Sequence, residues 1–165
     1  MAQARQPGFY AALQVPDSVD GRFEMIALHA FLVLRRLKGA PQATEFGQAL
    51  FDTMFADMDR SLREMGAGDL GVGVRVKAMA QAFYGRIAAY EAALAEPGDA
   101  ALVAALRRNA YGTLRGEDTP SAAAVEALAG YVRAGADRLA QQPIEALLTG
   151  VPDFPPVPDA AAPRH

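Results

Sequence analysis

Apolar residues recur at intervals of three and four along most of this chain, and that spacing is what most constrains its fold. Such a stripe buries one face of an α-helix, whereas a half-buried strand needs strict alternation. Two long stripes flank residue 66: Phe46, Leu50, Phe51, Met54, Phe55, Met58, Leu62 and Met65 before it, and Val76, Met79, Phe83, Ile87, Tyr90 and Leu94 after it. No stretch shows sustained alternation, so the sequence predicts an all-α protein.

Capping and breaking residues divide the chain into about five to six helices. An apolar helix containing Met25–Leu34 is predicted to start at an Asp20 N-cap and to stop at Gly39 and Pro41. Further helices are predicted from Thr44 to Gly66, from the glycine run after it to Pro97, from an Asp99 N-cap to about Arg108, from a Thr119 N-cap to about Gln141, and from Pro143 to Leu148.

The chain changes character after Gly150. The prolines there exclude a regular helix and favour an extended, polyproline-like segment: Pro152, Pro155, Pro156, Pro158 and Pro163. A chain of 165 residues, 52% of them hydrophobic, is long enough for one sizeable core. We therefore predict a single helical bundle over residues 1–150, followed by a loose Pro-rich tail over residues 151–165.

A glycine run separates the two longest stripes, and we predict that it forms a structural loop: Gly66, Gly68, Asp69, Gly71 and Gly73. Glycine adopts positive φ without a steric penalty, so the run predicts an unusual backbone path. It also matches the dinucleotide fingerprint G-x-G-x-x-G, but that motif needs a preceding strand, and a helix is predicted there instead. We interpret the run as a sharp turn between closely packed helices. Anion binding at this turn, aided by Arg75 and Lys77, is the alternative.

Composition argues against several classes of function. A net charge of −3 and a pI near 5.4 do not suit general nucleic-acid binding, which needs a strong basic excess. The chain has no cysteine, His165 is terminal, and His29 is interpreted as a satisfied core residue. No G-x-S-x-G motif surrounds a serine. We therefore expect no enzymatic activity, no metal site and no cofactor.

Five segments together carry a family resemblance: Arg5-Gln6-Pro7-Gly8-Phe9-Tyr10, Val19-Asp20-Gly21-Arg22-Phe23-Glu24, His29-Ala30-Phe31-Leu32-Val33-Leu34-Arg35-Arg36-Leu37, Gly66 to Arg75, and Ala82-Phe83-Tyr84-Gly85-Arg86. They resemble the ubiquinol–cytochrome c reductase assembly chaperones (the ubiquinol–cytochrome c chaperone domain). The likeness covers roughly residues 3 to 150, and the glycine run with its Phe-Tyr-Gly-Arg helix is the specific part. Family members usually carry more helix before the first segment, so this chain is expected to start late or to be trimmed.

The resemblance implies a helical, non-catalytic protein that assists biogenesis of respiratory complex III. Mitochondrial relatives bind newly made cytochrome b, with a small partner protein, at the inner-membrane surface and mitoribosome. The partner expected here is cytochrome b or an early complex III intermediate. The protein is expected to be bacterial and cytoplasmic, with peripheral contact to the inner membrane left open. The alternative is a helical ligand-binding module that holds a phosphate or lipid headgroup at Gly66–Gly73. The oligomeric state is not determined by the sequence.

The helix after the glycine run offers a client-binding surface, for which we predict Arg75, Lys77, Phe83, Tyr84 and Arg86. On a helical wheel, Lys77 and Tyr84 share one flank of the apolar ridge, and Arg75 and Arg86 share the other. Apolar area bordered by polar groups suits the binding of nascent membrane segments. The methionines before and within this helix would add deformable contact area: Met54, Met58, Met65 and Met79. Alternatively, Phe83 and the methionines pack in the core, and the cations pair with neighbouring acids.

Overall fold

The computed structural model describes residues 2–159, which form seven α-helices, two short 3-10 turns and no strand. The helices are α1 (Gly8–Ala11), α2 (Val19–Leu37), α3 (Ala43–Glu64), α4 (Asp69–Ala95), α5 (Ala100–Arg108), α6 (Ala122–Ala140) and α7 (Ile144–Leu148), and the 3-10 turns are Gln3–Arg5 and Gly116–Asp118. This confirms the predicted all-α bundle. None of the helices in the described residues is long and apolar enough to cross a membrane.

Helix α2 is the centre of the bundle, because α3, α4, α6, α7 and the first 3-10 turn all pack against it. Its apolar residues face these neighbours in every direction, and Met25, Leu28 and Phe31 have 1% or less of their surface exposed. A helix that is apolar on all sides is stable only when it is enclosed. The close fit extends to Gly21, where an added Cβ would lie 1.8 Å from the carbonyl oxygen of Pro16.

Two predicted helix caps were wrong, and a third was right in position only. Helix α2 begins after Ser18, whose Oγ accepts a hydrogen bond from the Gly21 amide, and Asp20 lies in the first turn. Helix α6 likewise begins after Ser121, two residues beyond Thr119. Asp99 does precede α5, but its carboxylate binds Arg133 at 2.7 Å and caps nothing. Several residues near each start can cap a helix, and tertiary contacts decide which one does.

The glycine loop is shorter than predicted. Gly66 alone of the four glycines has a positive φ, +89°, and it ends α3 in the left-handed conformation. Gly68 is the extended residue before α4, while Asp69, Gly71 and Gly73 are helical. A Cβ added at any of the four glycines would have no neighbour within 4 Å, so the predicted close packing was also wrong. As predicted, the residues before Gly66 are helical, so no strand aims this loop.

The described part of the tail, residues 151–159, is extended but not loose. The Phe154 ring lies 5.0 Å from the His29 ring between centroids, and the Pro155 carbonyl accepts a hydrogen bond from Gln3 Nε2. Arg138 binds Asp153 at 2.8 Å and fixes the tail to α6. Extended prolines pack well against a helical surface, since they need no internal hydrogen bonds. Pro163, which was predicted to be part of the extended segment, and the terminal His165 lie outside the described residues.

His29 is a satisfied core histidine, as predicted. Its Nδ1 lies 2.6 Å from the Met25 carbonyl oxygen, which can only accept, so Nδ1 carries the proton. Nε2 then accepts from the Tyr131 hydroxyl at 2.8 Å, and that hydroxyl accepts from Gln3 Nε2 at 3.0 Å. Burial lowers the pKa of His29 to about 4, so the ring is neutral at physiological pH.

Candidate functional site

Helix α4 is apolar on two opposite sides. One side enters the core through Val72, Met79, Phe83, Tyr90 and Ala93. The other side is a second stripe at spacings of three and four, exposed throughout, which we name the α4 face: Leu70, Val74, Lys77, Gln81, Tyr84 and Ala88. An exposed helix surface normally carries charged side chains. The α4 face has one, Lys77.

The apolar members of the α4 face are among the most exposed large hydrophobic side chains in the described part of the protein. Leu70 is 89% exposed, Val74 70% and Tyr84 63%. Small residues border them at intervals of seven, all solvent-facing: Gly71, Ala78, Gly85 and Ala92. Small residues let the backbone of a second helix approach closely. The surface can therefore receive an apolar helix along much of its length.

Phe83 does not lie on this surface but in the core, which is the alternative that the sequence left open for it. Its ring is 2% exposed and packs between helices, 6.4 Å from the Phe55 ring and 6.1 Å from the Phe51 ring. Tyr84, the next residue, is exposed, and its ring is stacked with that of Phe51 in α3, with 6.1 Å between the ring centroids. Phe83 thus supports the α4 face from beneath, while Tyr84 is part of it.

Arg86 is bound within the protein, in agreement with the alternative that the cations pair with neighbouring acids. Its guanidinium Nε donates to both carboxylate oxygens of Glu24 on α2, at 2.9 and 3.0 Å, and Nη2 completes the pair. Glu24 is one of two buried polar or charged side chains found in the described core. The hydrogen bond to Glu24 raises the pKa of Arg86. This arginine joins α4 to α2.

Arg75 and Lys77 differ in their availability. Arg75 lies 3.6 Å from Asp20 of α2, with both side chains about half exposed, so the pair is weak and solvated. Arg75 and Arg86 therefore share the flank that faces α2. Lys77 makes no ion pair in the described part of the chain and remains open to solvent. The client-binding residues predicted from sequence thus divide into Lys77 and Tyr84 on the open face, Arg75 at its edge, and Phe83 and Arg86 behind it.

The methionines follow the same division. Met54, Met58 and Met79 are in the core, with 7% or less of their surface exposed. Met65, at the end of α3, is 69% exposed and lies next to the glycine turn that leads to Leu70. Of these four methionines, Met65 is thus the one whose side chain is open to solvent.

The glycine turn does not form an anion cradle. Asp69 already places a carboxylate in the first turn of α4, where a bound anion would need to lie. That carboxylate pairs with Arg63, and the ion pair lowers the pKa of Asp69. Arg75, the cation expected to help, is paired with Asp20. Residues 2–159 also contain no cluster of three metal-ligating side chains.

Sequence reasoning missed Leu70, Val74 and Gln81. The signal was present as a second stripe in the same helix, offset from the buried one. It was hidden because Leu70 and Val74 stand among the glycines that we assigned to a loop. Glu24 was also missed, because nothing in its local sequence indicates that a carboxylate is buried there.

Within residues 2–159, the fold and the site define a helical binding protein with one exposed apolar helix face. The sequence profile of the ubiquinol–cytochrome C chaperone family matches residues 11–154, and the chain belongs to this family. A crystal structure of the Cbp3 homolog from Brucella abortus is similar, with 44% sequence identity and a TM-score of 0.79 over 94% of this chain and 84% of that one. No curated protein sequence matches the chain. These findings support an assembly chaperone for respiratory complex III.

Proposed function

We propose that this protein binds cytochrome b, or an early complex III intermediate that contains it, on the α4 face and acts without catalysing a reaction. The observation that carries the proposal is the exposed stripe of Leu70, Val74 and Tyr84, in which Lys77 is the one charged side chain. A contiguous apolar surface of this kind on a folded protein marks an interaction site.

The chemistry of the α4 face suits an apolar helix. Newly made transmembrane segments are predominantly apolar. A protein that binds them in water must therefore cover them with an apolar surface of its own. The small residues beside the stripe allow close approach, and the Lys77 ammonium and Tyr84 hydroxyl can bind polar groups at the ends of such a segment. The same features serve peripheral contact with the inner membrane, which belongs to the proposal as a secondary interaction.

Two valines of equal exposure allow a matched test. Val74 on the α4 face is 70% exposed and Val151 in the tail is 69% exposed. Glutamate at position 74 would place a charge in the apolar contact, whereas glutamate at 151 adds the same charge elsewhere. We expect V74E to lower cytochrome b and ubiquinol–cytochrome c reductase activity in cells, and V151E to leave both near the level of the unmodified protein. Equal activity in the two strains would contradict the proposal.

Photo-crosslinking identifies the client directly. A photoreactive amino acid at position 84 should capture cytochrome b in growing cells, while the same group at exposed Ala104 on α5 should not. Capture from both positions, or from neither, would show that the α4 face is not the contact.

A further inference from the structure

Most of the arginines in the described part of the chain are neutralised by acidic partners within it. In residues 2–159, nine of them form ion pairs with acidic side chains: Arg5, Arg22, Arg35, Arg60, Arg63, Arg75, Arg86, Arg133 and Arg138. Arg36 instead donates to the carbonyl oxygens of Leu139 and Gln142, at 2.9 and 2.8 Å. The remaining three in this range are Arg107, Arg108 and Arg115.

These three arginines line one cleft. It measures about 480 Å³, lies at the end of α5, and is bordered also by Tyr111, Gly112 and Thr119. No acidic residue lines it. A larger cleft of about 780 Å³, between the N-terminal segment, α2 and α3, provides the contrast, because its arginines are matched by Asp17 and Asp57. Of these two clefts in the described part of the chain, the α5 cleft is the one that concentrates uncompensated positive charge.

The backbone holds one of these guanidinium groups in place, that of Arg115. An added Cβ at Gly112 would lie 2.3 Å from the Arg108 carbonyl oxygen, so only glycine permits the tight turn that brings Arg115 back toward α5. Arg115 Nη1 donates to the carbonyls of Gly112 and Leu114, which leaves Nε and Nη2 available. The Tyr111 hydroxyl donates to the Leu13 carbonyl at 2.7 Å and anchors the turn to the N-terminal segment.

A helix-end role explains only part of this arrangement. Arg107 and Arg108 lie in the last turn of α5, where cations favour the exposed carbonyls. Arg115 is outside that helix, and yet it lines the same cleft. The neighbouring acids Glu117 and Asp118 lie in the second 3-10 turn and form no ion pair with the three arginines. Their negative charge makes the electrostatic potential near the cleft less positive, but neither side chain lines the cleft.

We propose that Arg107, Arg108 and Arg115 form a binding site for a phosphate group, of the kind carried by an anionic phospholipid or by a soluble phosphate compound. A phosphate offers several charged acceptor oxygens, and the planar guanidinium fork matches their geometry. Thr119 also lines the cleft, and its hydroxyl is a neutral group that can donate to such an oxygen. The site is separate from the α4 face and does not depend on the client proposed for it.

Calorimetric titration with inorganic pyrophosphate, and flotation with phosphatidylglycerol–phosphatidylcholine vesicles, test the proposal. The variant R107Q/R108Q/R115Q removes the site. The control R22Q/R35Q/R60Q removes the same charge from arginines that are paired on the surface. We expect the first to weaken binding by about tenfold or more per arginine, and the control to have a much smaller effect. Circular dichroism verifies the fold of each.

The pattern of binding distinguishes the sources. Binding of both probes, lost in the cleft variant, supports recognition of the phosphate group itself. Binding of the vesicles alone assigns the site to a lipid headgroup, and binding of pyrophosphate alone assigns it to a soluble compound. No binding of either probe, or equal losses in the two triple variants, would overturn the proposal. Should the cleft variant not fold, R107Q and R108Q carry the test, because neither side chain bonds to the backbone in the described chain.

Discussion

Glu24 brings a carboxylate into the bundle, and its side chain is 6% exposed beside the 23% exposed Arg86. Removing one partner of such a pair leaves a buried charge uncompensated. We expect Arg86→Ala to lower the free energy of unfolding by about 3 kcal/mol. Arg75→Ala, which breaks the exposed pair with Asp20, should cost about 0–1 kcal/mol. Urea denaturation measures both, and similar losses in the two variants would show that Glu24 is not a buried charge.

His29 makes the protein sensitive to acid. Its pKa is about 4 in the folded protein against 6.5 in the unfolded chain, so the unfolded state binds more protons between these values. Stability is therefore retained above pH 6.5 and falls as the pH drops toward 4, by about 3 kcal/mol in total from this residue. His29→Gln keeps a donor and an acceptor but does not titrate. We expect the difference in unfolding free energy between wild type and variant to depend on pH in this window; a constant difference would contradict the assignment.

At the scale of the element, the glycines within α4 and the glycine that ends α3 have different conformations and should respond differently to substitution by alanine. Gly71 and Gly73 are helical with open surroundings, so alanine should stabilise the protein by about 0.5–1 kcal/mol at each position. Gly66 has φ +89°, which alanine adopts only with strain, so Gly66→Ala should destabilise it by about 1 kcal/mol. Thermal denaturation reports the sign. If alanine destabilises the protein at all three positions, that result would favour the longer loop predicted from the sequence over helical Gly71 and Gly73.

Elements with strong periodicity were predictable, and their ends were less so. The buried stripes gave α3 close to its observed bounds and α4 close to its observed end, because a long apolar repeat at spacings of three and four is a strong helix signal. The start of α4 was missed, since two glycines outweighed the Leu70–Val74 spacing that continues the helix. Phe83 and Arg86 were assigned to the surface for a related reason. A helical wheel shows which residues share a flank, but not which flank another helix covers. Here the rings of α3 cover Phe83, and Glu24 of α2 pairs with Arg86.

At the scale of the whole molecule, the tail completes the core. Phe154 covers an apolar pocket of about 140 Å³ that Ile26, His29 and Leu147 also line. Phe154→Ala should reduce the free energy of unfolding by about 2 kcal/mol through lost apolar contact. Val151→Ala, at an exposed position, should change it by less than about 0.5 kcal/mol. Chemical denaturation tests the pair, and equal effects would mean that the tail is not part of the folded unit.

The hydrogen bond from Gln3 to the carbonyl of Pro155 makes neighbours of the two extremities of the described chain. The first and last segments of the described chain are consequently close together in space. A short peptide bridging these extremities would permit a circular permutant, with new ends opened at the exposed turn around Gly39. Each helix, the α4 face and the arginine cleft would keep their places, although the order of synthesis would be different.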